Sequence, residues 1–204
     1  SQAVEVTKLS LLLKVLEGET EQSIQTMITS FRERALPDLG SNIKCGNSLI
    51  GPDFYSQASL PAMNEEECLR INVFDWQAEF PEIFKAGGFD AVIGNPPYIP
   101  IEFMKEEEKV YYQNKHPQLE RKYDSAPIFI LEMMKNLGKN GLLSFISSVT
   151  WQTGENYQKL REYLFTRAGI GILINLPFDI FKNAYVDTGI YVLSKKQSSI
   201  YSIY

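Results

Sequence analysis

The stretch Phe89-Asp90-Ala91-Val92-Ile93-Gly94-Asn95-Pro96-Pro97-Tyr98 constrains this chain more than any other. Phe89 to Ile93 is a short apolar run with β-branched residues, preceded by Gly87-Gly88, and it predicts a buried strand. Gly94 to Tyr98 has to be irregular. Pro96 and Pro97 remove two backbone donors, fix two φ angles and restrict the residue before each, so neither a ladder nor a helix continues through them. A strand therefore ends in a stiff loop that presents the Asn95 amide, free carbonyls and the Tyr98 ring.

Those groups suit the gripping of a planar amine. The Asn95 side-chain oxygen and the Pro96 carbonyl can both accept hydrogen bonds from one NH2 group. Tyr98 can stack on the ring that carries the amine. An amino nitrogen held in this way keeps its lone pair available for attack, and no acid–base residue is needed if the electrophile is already activated. The plainer reading is a strand-ending turn with a surface tyrosine.

Elsewhere the pattern alternates helices and strands, which implies an α/β fold with a mostly parallel sheet. Leu9, Leu12, Leu13 and Leu16 recur at i, i+3, i+4, i+7 and predict an amphipathic helix from Ala3 to Glu17, ended by Gly18. A second helix is expected from Thr20 to Ala35. A short strand is expected at Asn42 to Cys45, then a loop from Gly51, with Asn64 capping an acidic helix from Glu65. Phe74, Trp76, Phe80 and Phe84 form an aromatic cluster suited to packing a loop on the core, with base stacking as the alternative. Asp124 or Ser125 caps a helix whose buried face is Ile130, Met133, Met134 and Leu137. Strands at Leu142 to Ser147, Ile170 to Leu176 and Ile190 to Leu193, and a helix from Glu155 to Arg167, complete the order.

The segment Glu102 to Asp124 is strongly polar. Lys105, Lys109, Lys115, Arg121 and Lys122 are interleaved with Tyr111, Tyr112 and Tyr123, a mixture that suits phosphate contact plus stacking. Glu106-Glu107-Glu108 dilutes that charge, so a solvated segment is the alternative. Nothing around His116, the only histidine, suggests a ligand or base. The net charge of −5, from 20 basic and 25 acidic residues, counts mildly against a complete DNA-binding protein. Cys45 and Cys68 have no metal-ligand spacing, and no apolar run approaches membrane-spanning length. A reduced, cytoplasmic protein is the simplest expectation, without metal or membrane partner. The chain opens inside a helical pattern and closes on Ser198-Ser199-Ile200-Tyr201 without a terminating signal, which reads as a piece of a longer polypeptide.

Asn95-Pro96-Pro97-Tyr98 after a hydrophobic strand resembles the catalytic motif of S-adenosylmethionine-dependent amino-methyltransferases. These include N6-adenine DNA methyltransferases and the glutamine methyltransferases that act on release factors. Ala3-Val4-Glu5-Val6-Thr7-Lys8-Leu9-Ser10-Leu11, Asn42-Ile43-Lys44-Cys45-Gly46-Asn47-Ser48-Leu49-Ile50 and Phe74-Asp75-Trp76 are similar to the methylase part of fused type II restriction–modification enzymes, and the resemblance runs through nearly the whole chain.

The resemblance implies a partial Rossmann-like methyltransferase fold with helices on both faces of the sheet and its first two strands missing. It implies that Asn95, Pro96, Pro97 and Tyr98 are catalytic and that double-stranded DNA is the partner. It also implies S-adenosylmethionine as cofactor of the full-length protein, with weak or no binding by this piece. Asn47, beside Ser48, stands where the family carries an acidic cofactor-binding residue. Its amide oxygen still accepts but lacks charge, and a Gly-Asn turn is the alternative. Phe181, then Phe178, matches the place of an aromatic ring that contacts the extruded base; a hairpin turn with a buried phenylalanine is the other reading. One partial catalytic domain over 1–204 is expected, with a helical entry at 1–40, the strand, insertion and catalytic loop at 41–101, a polar DNA-side loop at 102–124, and the C-terminal half of the sheet at 125–204. The Phe89 strand would then form an exposed edge that invites self-association. A glutamine N5-methyltransferase or a non-catalytic DNA-binding module are the alternatives in function.

Overall fold

The apolar run at Phe89 forms strand β1 (Phe89–Gly94), and three more strands join it: β2 (Leu137–Ser148), β3 (Gly169–Asn175) and β4 (Thr188–Ser194). The computed structural model describes residues 2–17, 19–23, 25–26, 39–57, 64–120, 122–178, 180–181 and 186–197. The sheet order is β1-β2-β4-β3. β1 pairs parallel with β2, and β4 lies antiparallel between β2 and β3. Strands β1, β2 and β3 therefore run the same way, and their C-terminal ends share one end of the sheet.

The strands expected at Phe89, Leu142, Ile170 and Ile190 form one sheet, with β1 at its edge. Burial corrects one detail of that strand. Ile93 is 88% exposed, so β1 is not the buried strand that its composition suggests. Residues paired across strands share a face. Leu143, Phe145, Tyr191 and Leu193 share one face and are buried. Helices α6 (Ser125–Asn136) and α8 (Gln158–Thr166) supply Ile128, Ile130, Met134, Leu160 and Leu164 to the same core. Each such fully buried aliphatic side chain contributes about 1.5–3 kcal/mol. Helices were expected on both faces. Among the described residues the opposite face, with Ala91, Leu142, Ile172 and Ile174, stays exposed.

The remaining helices are α1 (Gln2–Leu16), α2 (Glu65–Ile71), α3 (Trp76–Glu79), α4 (Pro81–Lys85), α5 (Glu106–Lys115) and α7 (Thr150–Thr153). Asn64 caps α2 as expected. Its side chain accepts from the Glu67 amide at 2.8 Å, and Glu67 returns the bond to the Asn64 amide at 3.0 Å. Trp76, Phe80 and Phe84 pack edge-on around Phe89, at the start of β1 and so at the opposite end of the strand from Asn95. The cluster is a packing device at the wrong end for base stacking. Gly88 makes the turn into β1 possible: its φ is +114°, and a Cβ there would lie 2.7 Å from backbone atoms of Asn136, Leu137 and Gly138.

Two units divide the chain, Ser1–Asn47 and Ser48–Tyr204. In the first, α1 forms as expected, but Leu9 and Leu13 of its apolar stripe are exposed. The expected strand at Asn42 to Cys45 does not form. The Asn42 and Ile43 amides both donate to the Leu39 carbonyl, closing a turn that withdraws them from any ladder. Residues 21–23 and 25–26 of the expected second helix are helical, and the rest of it lies outside the described residues. Among the described residues, no helix is long and apolar enough to cross a membrane, and no group of side chains could hold a metal ion.

Candidate active site

Gly94, the last residue of β1, sits against Phe145 of β2, where a Cβ would lie 3.1 Å from the ring. The chain then leaves the sheet through Asn95, Pro96, Pro97 and Tyr98 in an irregular loop, as the two prolines require. Pro96 is buried and anchors the loop, Asn95 and Pro97 are exposed, and Tyr98 is half-buried. The Tyr98 hydroxyl donates to the Asn95 side-chain oxygen at 3.3 Å. Burial, then the nearby Asp124 carboxylate, push that hydroxyl above the usual tyrosine range, so it stays protonated and a donor at neutral pH.

The exit of the loop is fastened to the start of α6. Pro100 bridges to Asp124, the Ile101 amide donates to the Tyr123 carbonyl at 3.0 Å, and the Ser125 amide donates to the Ile99 carbonyl at 2.9 Å. The Ser125 hydroxyl accepts from the Ile99 amide at 3.0 Å and donates to the Pro97 carbonyl. Asp124 caps α6 through the Ala126 amide at 2.8 Å and accepts from the Thr150 hydroxyl at 3.4 Å. Burial pushes its carboxyl up, and those two donors pull it part of the way back. Deeper in, the Ser147 and Tyr191 hydroxyls meet at 2.8 Å.

Phe178 and Phe181 lie in the connection from β3 to β4, at the same end of the sheet as Asn95. Phe178 is exposed and Phe181 half-buried. The connection's other residues at 179 and 182–185 lie outside the described residues. Asn47 is half-buried in the first unit, whereas Ser48 opens the second and its carbonyl accepts from the Trp76 indole at 3.0 Å.

The polar segment departs most from its expected form. Part of it is the helix α5, and Tyr111, Tyr112 and Tyr123 are buried, which removes them as stacking platforms. Lys115 points inward, donating to the Tyr111 hydroxyl at 2.6 Å and lying 3.4 Å from Glu132. Lys109 pairs with Glu106 at 2.6 Å. Lys105 and Lys122 are exposed, and Arg121 lies outside the described residues.

His116 is no bystander. It is buried, with Nε2 2.6 Å from a Glu132 oxygen, and Lys135 approaches the same carboxylate at 3.1 Å. Burial alone would raise the Glu132 carboxyl, but His116, Lys115 and Lys135 beside it override that and hold the group down at about 2. Burial keeps His116 below the ordinary histidine range, so its ring is neutral at neutral pH and lies against the Glu132 carboxylate. An acid within the apolar run Ile128 to Met134 was the available signal, since a buried carboxylate needs partners.

A stiff Asn-Pro-Pro-Tyr loop at the C-terminal end of a strand, on an α/β sheet with one antiparallel strand, is the placement that the resemblance to amino-methyltransferases implies. The chain belongs to the Eco57I restriction-modification methylase family, whose profile matches residues 1–181. It is 34% identical over 185 residues to a Methanocaldococcus jannaschii protein provisionally named a type II restriction enzyme and methyltransferase, a match covering 91% of this chain and 15% of that one. It is 30% identical over 208 residues to the type II restriction enzyme and methyltransferase Eco57I of Escherichia coli, covering 99% of this chain and 19% of the relative. The chain thus spans less than a fifth of either relative. Among solved structures, the methyltransferase subunit of a type I restriction-modification system from Streptococcus thermophilus resembles it with a TM-score of 0.48 and 23% identity, over 61% of this chain and 26% of that one.

Proposed function

We propose that the full-length protein is a site-specific N6-adenine DNA methyltransferase that uses S-adenosylmethionine, fused to an endonuclease. The observation that carries this reading is the loop itself. Asn95 is exposed, its oxygen faces the Tyr98 hydroxyl at 3.3 Å, and Pro96 fixes the backbone beside it. The pair offers acceptors for one amino group and a ring to lie against it. The loop supplies acceptors rather than a nucleophile or a base, which fits transfer from a pre-activated donor. S-adenosylmethionine, when bound, supplies a methyl group on a sulfonium.

The target adenine has to leave its stack first, because its amino group is otherwise paired. Asn95 and the Pro96 carbonyl then hold that amino group, and Tyr98 stacks on the ring. Catalysis is mainly positioning and electrostatics. β4 stands two strands from β1, about 10 Å away at ordinary strand spacing. Phe181, on the connection entering β4 at the same end of the sheet, is the ring assigned to the other side of the base held by Tyr98. Asn47 and Ser48 are the residues assigned to the cofactor, with Lys105 and Lys122 on the DNA side. The family match supports DNA over a protein glutamine as substrate. The outer edge of β1, with Ile93 bare, favours self-association of this 204-residue chain through strand pairing.

The test supplies the full-length protein with tritiated S-adenosylmethionine and either duplex DNA or a release factor. Label on adenine N6 supports the reading. Label on the protein alone, or on cytosine, refutes it.

A further inference from the structure

We propose that Ser125 is the positioning residue that sets Tyr98 for the reaction, by holding the catalytic loop on both sides of it. The inference rests on the methyltransferase reading and adds a residue to it. The Ser125 hydroxyl donates to the carbonyl of Pro97 and accepts from the amide of Ile99 at 3.0 Å, the two residues that flank Tyr98. Its own amide donates to the Ile99 carbonyl at 2.9 Å. With the backbone pinned before and after it, Tyr98 keeps only its side-chain torsions, and its hydroxyl settles on Asn95.

The anchor is firm where the loop is not. Ser125 is 1% exposed and is the first residue of the 12-residue helix α6, which is buried from Ala126 to Met134 apart from the half-buried Phe129. It cannot shift without that helix. Pro97 is exposed and Ile99 is 40% exposed, so water can replace the lost partners if the hydroxyl is removed. The consequence of losing it is a loosened loop on an intact fold. A serine hydroxyl is small enough for this site and serves as donor and acceptor together; alanine offers neither, and threonine keeps both.

The experiment compares Ser125→Ala and Ser125→Thr with the unmodified full-length protein. Amide exchange is followed by mass spectrometry on peptides covering residues 95–102, and methylation kinetics are measured beside it. We expect exchange at Ile99 to rise at least ten-fold in S125A and to stay near the unmodified rate in S125T. We expect kcat to fall on the order of a hundred-fold in S125A, since a misplacement of about 1 Å has that effect, with the KM for S-adenosylmethionine unchanged and most of the loss recovered in S125T. A merely structural role would move the melting temperature and leave that pattern absent. Unchanged Ile99 exchange in S125A overturns the proposal, and so does turnover by S125A at the unmodified rate. Should the unmodified protein fail to methylate DNA, the methyltransferase reading falls, and the exchange arm still decides whether Ser125 pins the loop.

Discussion

Replacing Glu132 with Gln should cost this chain about 3 kcal/mol at neutral pH, and that loss should shrink in acid. The carboxylate lies 2.6 Å from His116, 3.1 Å from Lys135 and 3.4 Å from Lys115 while its side chain is 8% exposed. Its pKa falls from 4.5 to about 2. Such a shift favours the ionised form in the folded state by about 3 kcal/mol, at 1.36 kcal/mol per unit. Gln keeps the shape and stands in for the protonated acid, so it forfeits that amount. A carboxyl depressed on folding stabilises above its unfolded pKa and loses that contribution as pH falls toward its folded pKa. The wild-type advantage is therefore nearly full above pH 4.5 and fades toward about pH 2, with roughly three-fifths gone by about pH 3. His116 works in the same direction at higher pH. Its pKa is depressed below 6.5, the unfolded chain binds the proton more readily, and stability falls as pH drops below 6.5. Urea unfolding followed by tryptophan fluorescence suits the assay, because Trp151 is buried in the same core. A loss below about 1 kcal/mol at neutral pH, or one as large at about pH 3, would refute the reasoning.

Other substitutions read the site itself. Asn95→Ala in the full-length protein removes one of the two acceptors proposed for the reacting amine and should lower methylation on the order of a hundred-fold or more with folding intact; a radiolabel assay beside circular dichroism checks it. Tyr98→Ala and Phe181→Ala should each weaken capture of the extruded base by about 1–3 kcal/mol, and a fluorescent adenine analogue at the target position reports the change. Joint replacement of Lys105 and Lys122 by Ala should reduce the slope of log affinity against log salt by about 2, close to one per phosphate contact, measured by anisotropy of labelled duplex DNA. Asn64→Ala should destabilise α2 by about 1 kcal/mol through loss of its cap, read in the same urea titration.

Local chemistry made much of the fold legible. Two prolines dictate the loop after β1, Asn64 with Glu67 dictates the start of α2, and alternating apolar runs dictate the four strands. Residue patterns fail where the outcome depends on neighbours distant in the chain. Asn42 to Cys45 has strand composition but no ladder, because its amides find the Leu39 carbonyl first. Lys115 and the tyrosines at 111, 112 and 123 look like a nucleic-acid surface in sequence, yet Glu132 lies 17 residues beyond Lys115 and Tyr111 bonds to Asp53 58 residues before it. Nothing in a linear reading brings those groups together. The loop residues Asn95 to Tyr98 were legible because proline chemistry is local; their fastening to Ser125 was not, because it spans 26 to 28 residues.

Helix α6 is the member that joins these facts. Its first residue holds the loop that carries Asn95 and Tyr98, and its N-cap Asp124 bridges to Pro100 and binds Thr150. Its middle carries Glu132, which gathers His116 and Lys115 and so fastens the end of α5. At its C-terminus Lys195 donates to the carbonyls of Lys135 and Leu137, where a cation complements the negative end of the helix dipole. Leu137 then begins β2, whose parallel partner is β1 itself. The loop is thus held at both ends by connected structure, through β1 and β2 on one side and through α6 on the other. A loop carrying two prolines has little freedom of its own, and this closed circuit removes most of the rest. Asn95 is thus exposed on a loop fixed at both ends, with the half-buried Tyr98 bonded to it, which is the preorganisation that the proposed amine transfer requires.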